Sequence, residues 1–144
     1  MALQGMLLLP VVAAGLLGAD WPEPWRPWLW AVAAVVGCAA LPLAIGGIRR
    51  LGSALTPFPK PVSDSELQEH GAYRYARHPI YGGVLLLCLA WSLATSPVAL
   101  VPTALLALLF EGKRHREEAW LTERYPAYED YRRRVRRRFI PFVW

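Results

Sequence analysis

The sequence predicts an all-α integral membrane protein, with four transmembrane helices followed by C-terminal cytoplasmic helices and both chain ends in the cytoplasm. Three observations carry this reading. The chain of 144 residues holds three long stretches without a charge. Its charged residues are packed into the gaps between them. Its lysines and arginines then fall on one side of the resulting topology.

The first uncharged stretch runs from Met1 to Ala19, the second from Trp28 to Ile48 and the third from Ile80 to Phe110. A helix that crosses the hydrocarbon core needs about 20 apolar residues. The first two stretches fit one crossing each. The third is too long for one and is interrupted by Thr95-Ser96-Pro97. Pro97 suits a helix start and disfavours helical geometry at Ser96, so two helices joined by a tight turn are expected. The predicted helices cover about 2–19, 28–48, 80–95 and 97–110, within one membrane domain spanning 1–144. The last is short and is expected to run on into the polar sequence, because Glu111 to Tyr125 contains no proline and only Gly112 as a breaker.

A soluble bundle of this length could bury a good core. Its helices would show a polar face at a period of 3.6, and Ala31 to Leu43 shows none. The first stretch is read as a retained helix: it has no positive leading region, and the bulky Leu17 spoils a cleavage site after Ala19. Between the first two helices there is only Arg26, whereas Arg49 to Arg77 holds Arg49, Arg50, Lys60, Arg74 and Arg77, and the segment from Glu111 onward holds ten more basic residues. This places the ends and the 49–79 loop on the cytoplasmic side, of a prokaryotic plasma (inner) membrane. Trp21, Trp25, Trp28 and Trp30 lie at the opposite edge, as an interfacial belt.

Cys38 and Cys88 sit in hydrophobic segments and read as small apolar residues. No spacing suggests a metal site or a redox pair. The net charge is +5. The run Arg132 to Arg138, basic except for Val135, reads as contact with anionic lipid headgroups and not with nucleic acid.

Chemistry is left to two cytoplasmic regions, the loop 51–81 and the segment 111–144. In the loop, Pro57, Pro59 and Pro61 prevent a continuous helix, Ser63 or Ser65 could cap a short turn, and Gly71 would end it. Arg77-His78-Pro79-Ile80-Tyr81 leads into the third helix. Pro79 is placed as its first residue, and free N–H groups there suit a carboxylate ligand. The bland alternative is that Arg77 and His78 only mark the membrane boundary. In the second region Glu111, Arg114, Glu118 and Leu121 share one helical face, and Lys113 and Glu117 form an i,i+4 pair. A solvated helix held by its own ion pairs is the alternative there. Beyond a break at Pro126, a helix is expected over 127–138. An apolar end, Phe139 to Trp144, is expected to fold back onto the bilayer interface.

At these residues the sequence resembles a known family. Leu67…Gly71-Ala72-Tyr73…Arg77-His78-Pro79-Ile80-Tyr81-Gly82 looks like the signature of the isoprenylcysteine carboxyl methyltransferases and their phospholipid methyltransferase relatives. Glu117-Glu118, Leu121, Tyr125, Tyr128, Tyr131, Val135 and Ile140-Pro141 match its second half in order. The resemblance implies methyl transfer from S-adenosylmethionine, leaving S-adenosylhomocysteine, to a lipophilic acceptor at the cytoplasmic face. It implies cofactor contacts from Leu67, Gln68, Tyr73, Arg77, His78, Pro79, Ile80, Tyr81, Glu117 and Glu118, and places Lys113 and Arg114 towards the substrate. Where several relatives have arginine, position 113 has lysine, which keeps the charge but not the planar fork. No catalytic residue is assigned. The acceptor classes are an isoprenylcysteine-type carboxylate, a related small lipophilic compound, or an aminophospholipid amine. A non-catalytic membrane scaffold or lipid-binding protein is the reading from another class. Membrane lipids and a lipophilic or prenylated substrate are the expected partners, with no nucleic acid, and the oligomeric state is left open.

Overall fold

Ser96 breaks the longest uncharged stretch, and it does so through its own backbone and side chain. It is extended (φ −147°, ψ 138°), its hydroxyl accepts from the Val98 amide, and Pro97 follows as the first residue of a 3₁₀ turn, Pro97–Ala99. The computed structural model describes residues 2–52 and 67–143, with side chains from Leu7 onward. The readings placed on Pro57, Pro59, Pro61, Ser63 and Ser65 lie outside the described residues. Among the described residues every regular element is helical: α1 (Ala2–Leu17), α2 (Arg26–Leu51), α3 (Pro79–Ala94), α4 (Leu100–Arg124) and α5 (Tyr128–Arg134), with a second 3₁₀ turn at Gly71–Arg74.

Among the described residues only α2 is long and apolar enough to cross a membrane by length and composition. Pro79–Ala94 is apolar but has 16 residues, about 24 Å of helix against a hydrocarbon core of about 30 Å. The fourth apolar segment belongs to a helix of 25 residues that runs through Gly112 to Arg124. That continuation is supported by ion pairs at helical spacing, Glu111–Arg114, Lys113–Glu117 and Arg114–Glu118.

The chain divides into two compact units, residues 1–40 with 84–109 and residues 41–83 with 110–144. In the first, small residues let helices approach closely, as helix packing in lipid favours. A Cβ on Gly15 would collide with the Trp91 indole, and Gly37 faces Ala90. Ser92 and Thr103 share a buried hydrogen bond of 3.1 Å between α3 and α4. The outside of this unit is apolar: Leu9, Leu16, Leu17, Val35 and Leu108 are all exposed. Two of the belt tryptophans have a more specific task than expected. The indole N–H groups of Trp21 and Trp30 donate to the carbonyls of Ser92 and Ala94 at the end of α3, and the Ser92 carbonyl also accepts from the Ser96 amide.

The second unit is built where glycines let the backbone come close. Gly47 of α2 lies against Ile80 and Pro79, Gly83 of α3 against Ala44, and Gly82 against the backbone of Phe139. Gly71, expected to end a turn, instead opens the 3₁₀ turn with φ +65°. The C-terminal helix is shorter than expected and ends at Arg134, with Val135 at φ −107° and ψ 87°. The reason is nonlocal. The carbonyls of Arg137 and Arg138 accept from the backbone N–H groups of Arg77 and His78 at 3.0 and 2.7 Å, and those of Val135 and Arg136 accept from the Arg77 guanidinium. A helix through Arg138 would turn these acceptors inward along its own axis. Phe139 is fully buried, whereas Phe142 and Val143 are exposed, so the apolar end divides between the interior and the surface.

A Cβ on Gly82 would collide with the carbonyl oxygen of Phe139, backbone against backbone, where no rotamer gives relief. Overpacking of this kind costs about 1–3 kcal/mol. Gly82→Ala should therefore favour tail opening by roughly 5- to 150-fold. Trypsin cleavage within Arg132–Arg138 should accelerate accordingly. Cleavage at the wild-type rate would contradict the docked tail.

Candidate functional site

All residues of the candidate site lie in the second unit. Pro79, with no N–H to lose, starts α3 and leaves His78 just outside the helix. Of the N–H groups expected to be free for a carboxylate ligand here, that of His78 is taken by a tail carbonyl, as is that of Arg77 before it.

The side chains on α4 divide into two adjacent groups. Glu118 is buried and receives three cationic donors: Arg77 Nε at 2.9 Å and His78 Nε2 at 3.1 Å on one oxygen, and Arg114 Nη1 at 3.0 Å on the other. Burial alone would raise its pKa. The hydrogen bonds from His78 and Arg77, and their charges, overcome that and hold the carboxyl at about 2. Arg114 is also gripped by Glu111, at 3.0 Å from Nε and 2.5 Å from Nη2, and Glu111 in turn accepts from Arg138. The Glu111 pKa is lowered, chiefly by its hydrogen bond from Arg114.

Glu117 faces a different environment. Tyr81 Oη donates to it at 2.5 Å, Lys113 Nζ stands at 3.7 Å and His78 Nδ1 at 3.5 Å. Both His78 nitrogens thus look at carboxylates, which only accept, an arrangement that favours the doubly protonated ring. Burial opposes that charge, but the hydrogen bonds to Glu117 and Glu118 prevail and raise the His78 pKa above 6.5. Tyr81 lies in an aromatic stack, with Phe110 at 4.5 Å and 16° on one side and the His78 ring at 5.6 Å and 4° on the other. Lys113 Nζ sits 5.1 Å from the centre of the Tyr81 ring, a cation–π contact. Phe139 closes the group edge-on, 6.1 Å from both His78 and Tyr81.

The structure therefore brings together His78, Tyr81, Lys113 and Glu117, backed by Arg77, Arg114 and Glu118. Pro79 and Ile80 form the helix start that fixes His78 and Tyr81. Tyr73 is buried, with its pKa raised by burial, and its carbonyl accepts from Tyr131 Oη at 2.7 Å. Leu67 and Gln68 are half-buried just ahead of the 3₁₀ turn. Arg114, expected towards the substrate, is instead held among Glu111, Glu118 and His115. Two residues were missed. Phe110 stands three and seven residues before Lys113 and Glu117, a helical spacing that could have revealed it. Phe139 was read with the interfacial end and has no local signal.

The family model described as phospholipid methyltransferase matches residues 28–128. The chain belongs to the phospholipid methyltransferase family. No curated protein matches the chain. Membership in this family of integral membrane methyltransferases supports an enzyme of methyl transfer. Both groups on α4 and the His-Pro start of α3 fall within the matched residues, whereas Arg136–Phe139 lie beyond them.

The pH window follows from the two shifted groups. The raised His78 pKa stabilises the fold fully below 6.5, and this is lost as pH rises through the folded value. The lowered Glu118 pKa stabilises it fully above 4.5, and this is lost as pH falls towards 2. Thermal stability should thus be greatest between about pH 4.5 and 6.5. In an NMR titration the His78 ring should titrate above 6.5, and Glu118→Gln should move that transition down. A midpoint at or below 6.5 in the wild-type chain would contradict the paired imidazolium.

Proposed function

We propose that the chain transfers a methyl group from S-adenosylmethionine to a lipophilic acceptor. The observation that carries this reading is the state of Glu117. Its neighbour Glu118 is neutralised by Arg77, His78 and Arg114, but Glu117 is 16% exposed and lies beside the Tyr81–Phe110 stack. A carboxylate next to an aromatic face favours a cation. The Lys113 ammonium, resting against both Glu117 and Tyr81, occupies that kind of environment. The donor set therefore fits a ligand with an ammonium and a sulfonium. Glu117 and Tyr81 would hold it, with His78 fixing Glu117 from the other side. Leu67, Gln68, Tyr73, Pro79 and Ile80 are proposed to border it, and Arg77 and Glu118 to support the site from behind.

Bound S-adenosylmethionine supplies a methyl group already activated by the sulfonium charge, so the chain's main tasks are alignment and exclusion of water. Phe110, Tyr81 and Phe139 provide an apolar wall suited to excluding water. An amine acceptor must lose a proton before it attacks, and Glu117 is the carboxylate suited to receive it at its Oε atoms. An isoprenylcysteine-type carboxylate needs no base but needs a cationic partner. Arg114 is engaged by Glu111 and Glu118, and Lys113 by Glu117 and the Tyr81 ring. This favours an amine, in keeping with the family description of a phospholipid methyltransferase. The four apolar helices are proposed to cross the membrane with both ends cytoplasmic, in a prokaryotic plasma membrane, with membrane lipids as partners.

Labelled methyl transfer into a total membrane extract tests the reading. Alkali-stable label in the lipid fraction is expected for an N-methyl product, and alkali-labile label would indicate a methyl ester. His78→Ala and Glu117→Ala should each weaken calorimetric binding of S-adenosylhomocysteine by about tenfold or more. Absence of both label and binding in the wild-type chain would contradict the enzyme reading in favour of a scaffold.

A further inference from the structure

Next to the Glu118 carboxylate the second unit contains a cavity of about 480 Å³. Arg77, Arg114, Arg132, Arg136 and Arg138 line it, against the single carboxylate of Glu118. Tyr81, Lys113 and Glu117 do not line it, so it is separate from the aromatic–carboxylate group proposed to hold the cofactor. Its volume lies within the range of about 300–1,000 Å³ typical of small-ligand sites.

Three of the five arginines are fixed by hydrogen bonds. Arg77 is held by Glu118 and tail carbonyls, Arg114 by Glu111 and Glu118, and Arg138 by Glu111. Arg132 pairs with Glu129 at the surface, and Arg136 is exposed. The wall thus combines pre-positioned guanidinium groups with two that can adjust.

We propose that this cavity binds a phosphate group, carried either by a membrane lipid headgroup or by a soluble phosphorylated compound, at a site distinct from that of methyl transfer. Guanidinium forks match phosphate oxygens bidentately, and several converging forks select a multiply charged anion over a single carboxylate. Glu118 is neutralised by Arg77, His78 and Arg114, and Glu111 is held by Arg114 and Arg138, so the positive charge left over for a ligand rests chiefly on Arg132 and Arg136. The two adjustable arginines could close over the ligand without disturbing the buried network.

The test uses the full chain in neutral-detergent micelles. Calorimetric titrations are run with inorganic phosphate, and with micelles doped with phosphatidic acid or with diacylglycerol, which lacks the phosphate. Saturable binding of phosphatidic acid, but not of inorganic phosphate, supports the site with a lipid source. Binding of inorganic phosphate supports it with a soluble one. Binding of neither, or equal binding of diacylglycerol, overturns the proposal. The double variant R132E/R136E should lose affinity by at least about tenfold. The control R133E/R137E makes the same change in net charge on exposed residues that do not line the cavity, and should stay close to wild type. Equal losses in the two would show diffuse attraction to the arginine run and overturn the site. S-adenosylhomocysteine binding is measured in the same preparations, so failure here leaves the methyl-transfer reading standing.

Discussion

One buried carboxylate, Glu118, sets the terms for everything around it. A charge removed from water is costly unless it is paired and hydrogen-bonded, and Glu118 meets this requirement with three cationic donors from two parts of the chain. Two come from the segment leading into α3 and one from α4 itself. The carboxylate therefore ties the start of α3 to α4. Moving either arginine would remove one of the three donors from the buried carboxylate.

The consequences spread outward from that junction. With its Nε on Glu118, Arg77 presents Nη1 to the carbonyls of Val135 and Arg136, which draws the tail out of helical geometry. The tail in turn occupies the N–H groups of Arg77 and His78 and brings Phe139 against the His78 and Tyr81 rings. His78, held from one side by Glu118, turns its other nitrogen to Glu117. Two glutamates adjacent in sequence thereby acquire different tasks. One organises the unit, and the other lies partly exposed beside an aromatic face, with the Lys113 ammonium against it.

Much of this was legible in the sequence, where it depended on local chemistry. The Ser96-Pro97 break, the Pro79 helix start and the i,i+3 and i,i+4 pairs of α4 follow from proline geometry and helical spacing. The continuity of α4 through Gly112 followed from the absence of any stronger breaker. Nonlocal backbone pairing was not legible, because a carbonyl acceptor has no side-chain signature. Nothing in Arg132 to Arg138, a run of good helix formers apart from Val135, announced that its carbonyls would serve Arg77. Phe139 went unread for the same reason. Trp21 and Trp30 were recognised as aromatic and amphipathic, but their partners at the end of α3 depend on tertiary contact. Arg114 was placed towards the substrate only as the neighbour of Lys113, which holds the matching position, and the carboxylates of Glu111 and Glu118 hold it.

The central claim is that Glu118 organises the unit while Glu117 does not. Thermal unfolding of Glu118→Gln beside Glu117→Gln in the same detergent tests this most directly. Breaking a buried pair costs about 3–5 kcal/mol. For a chain of this size that corresponds to a Tm lower by roughly 10 °C. The account predicts such a fall for Glu118→Gln and a much smaller one for Glu117→Gln. Equal losses, or a larger loss for Glu117→Gln, would contradict it.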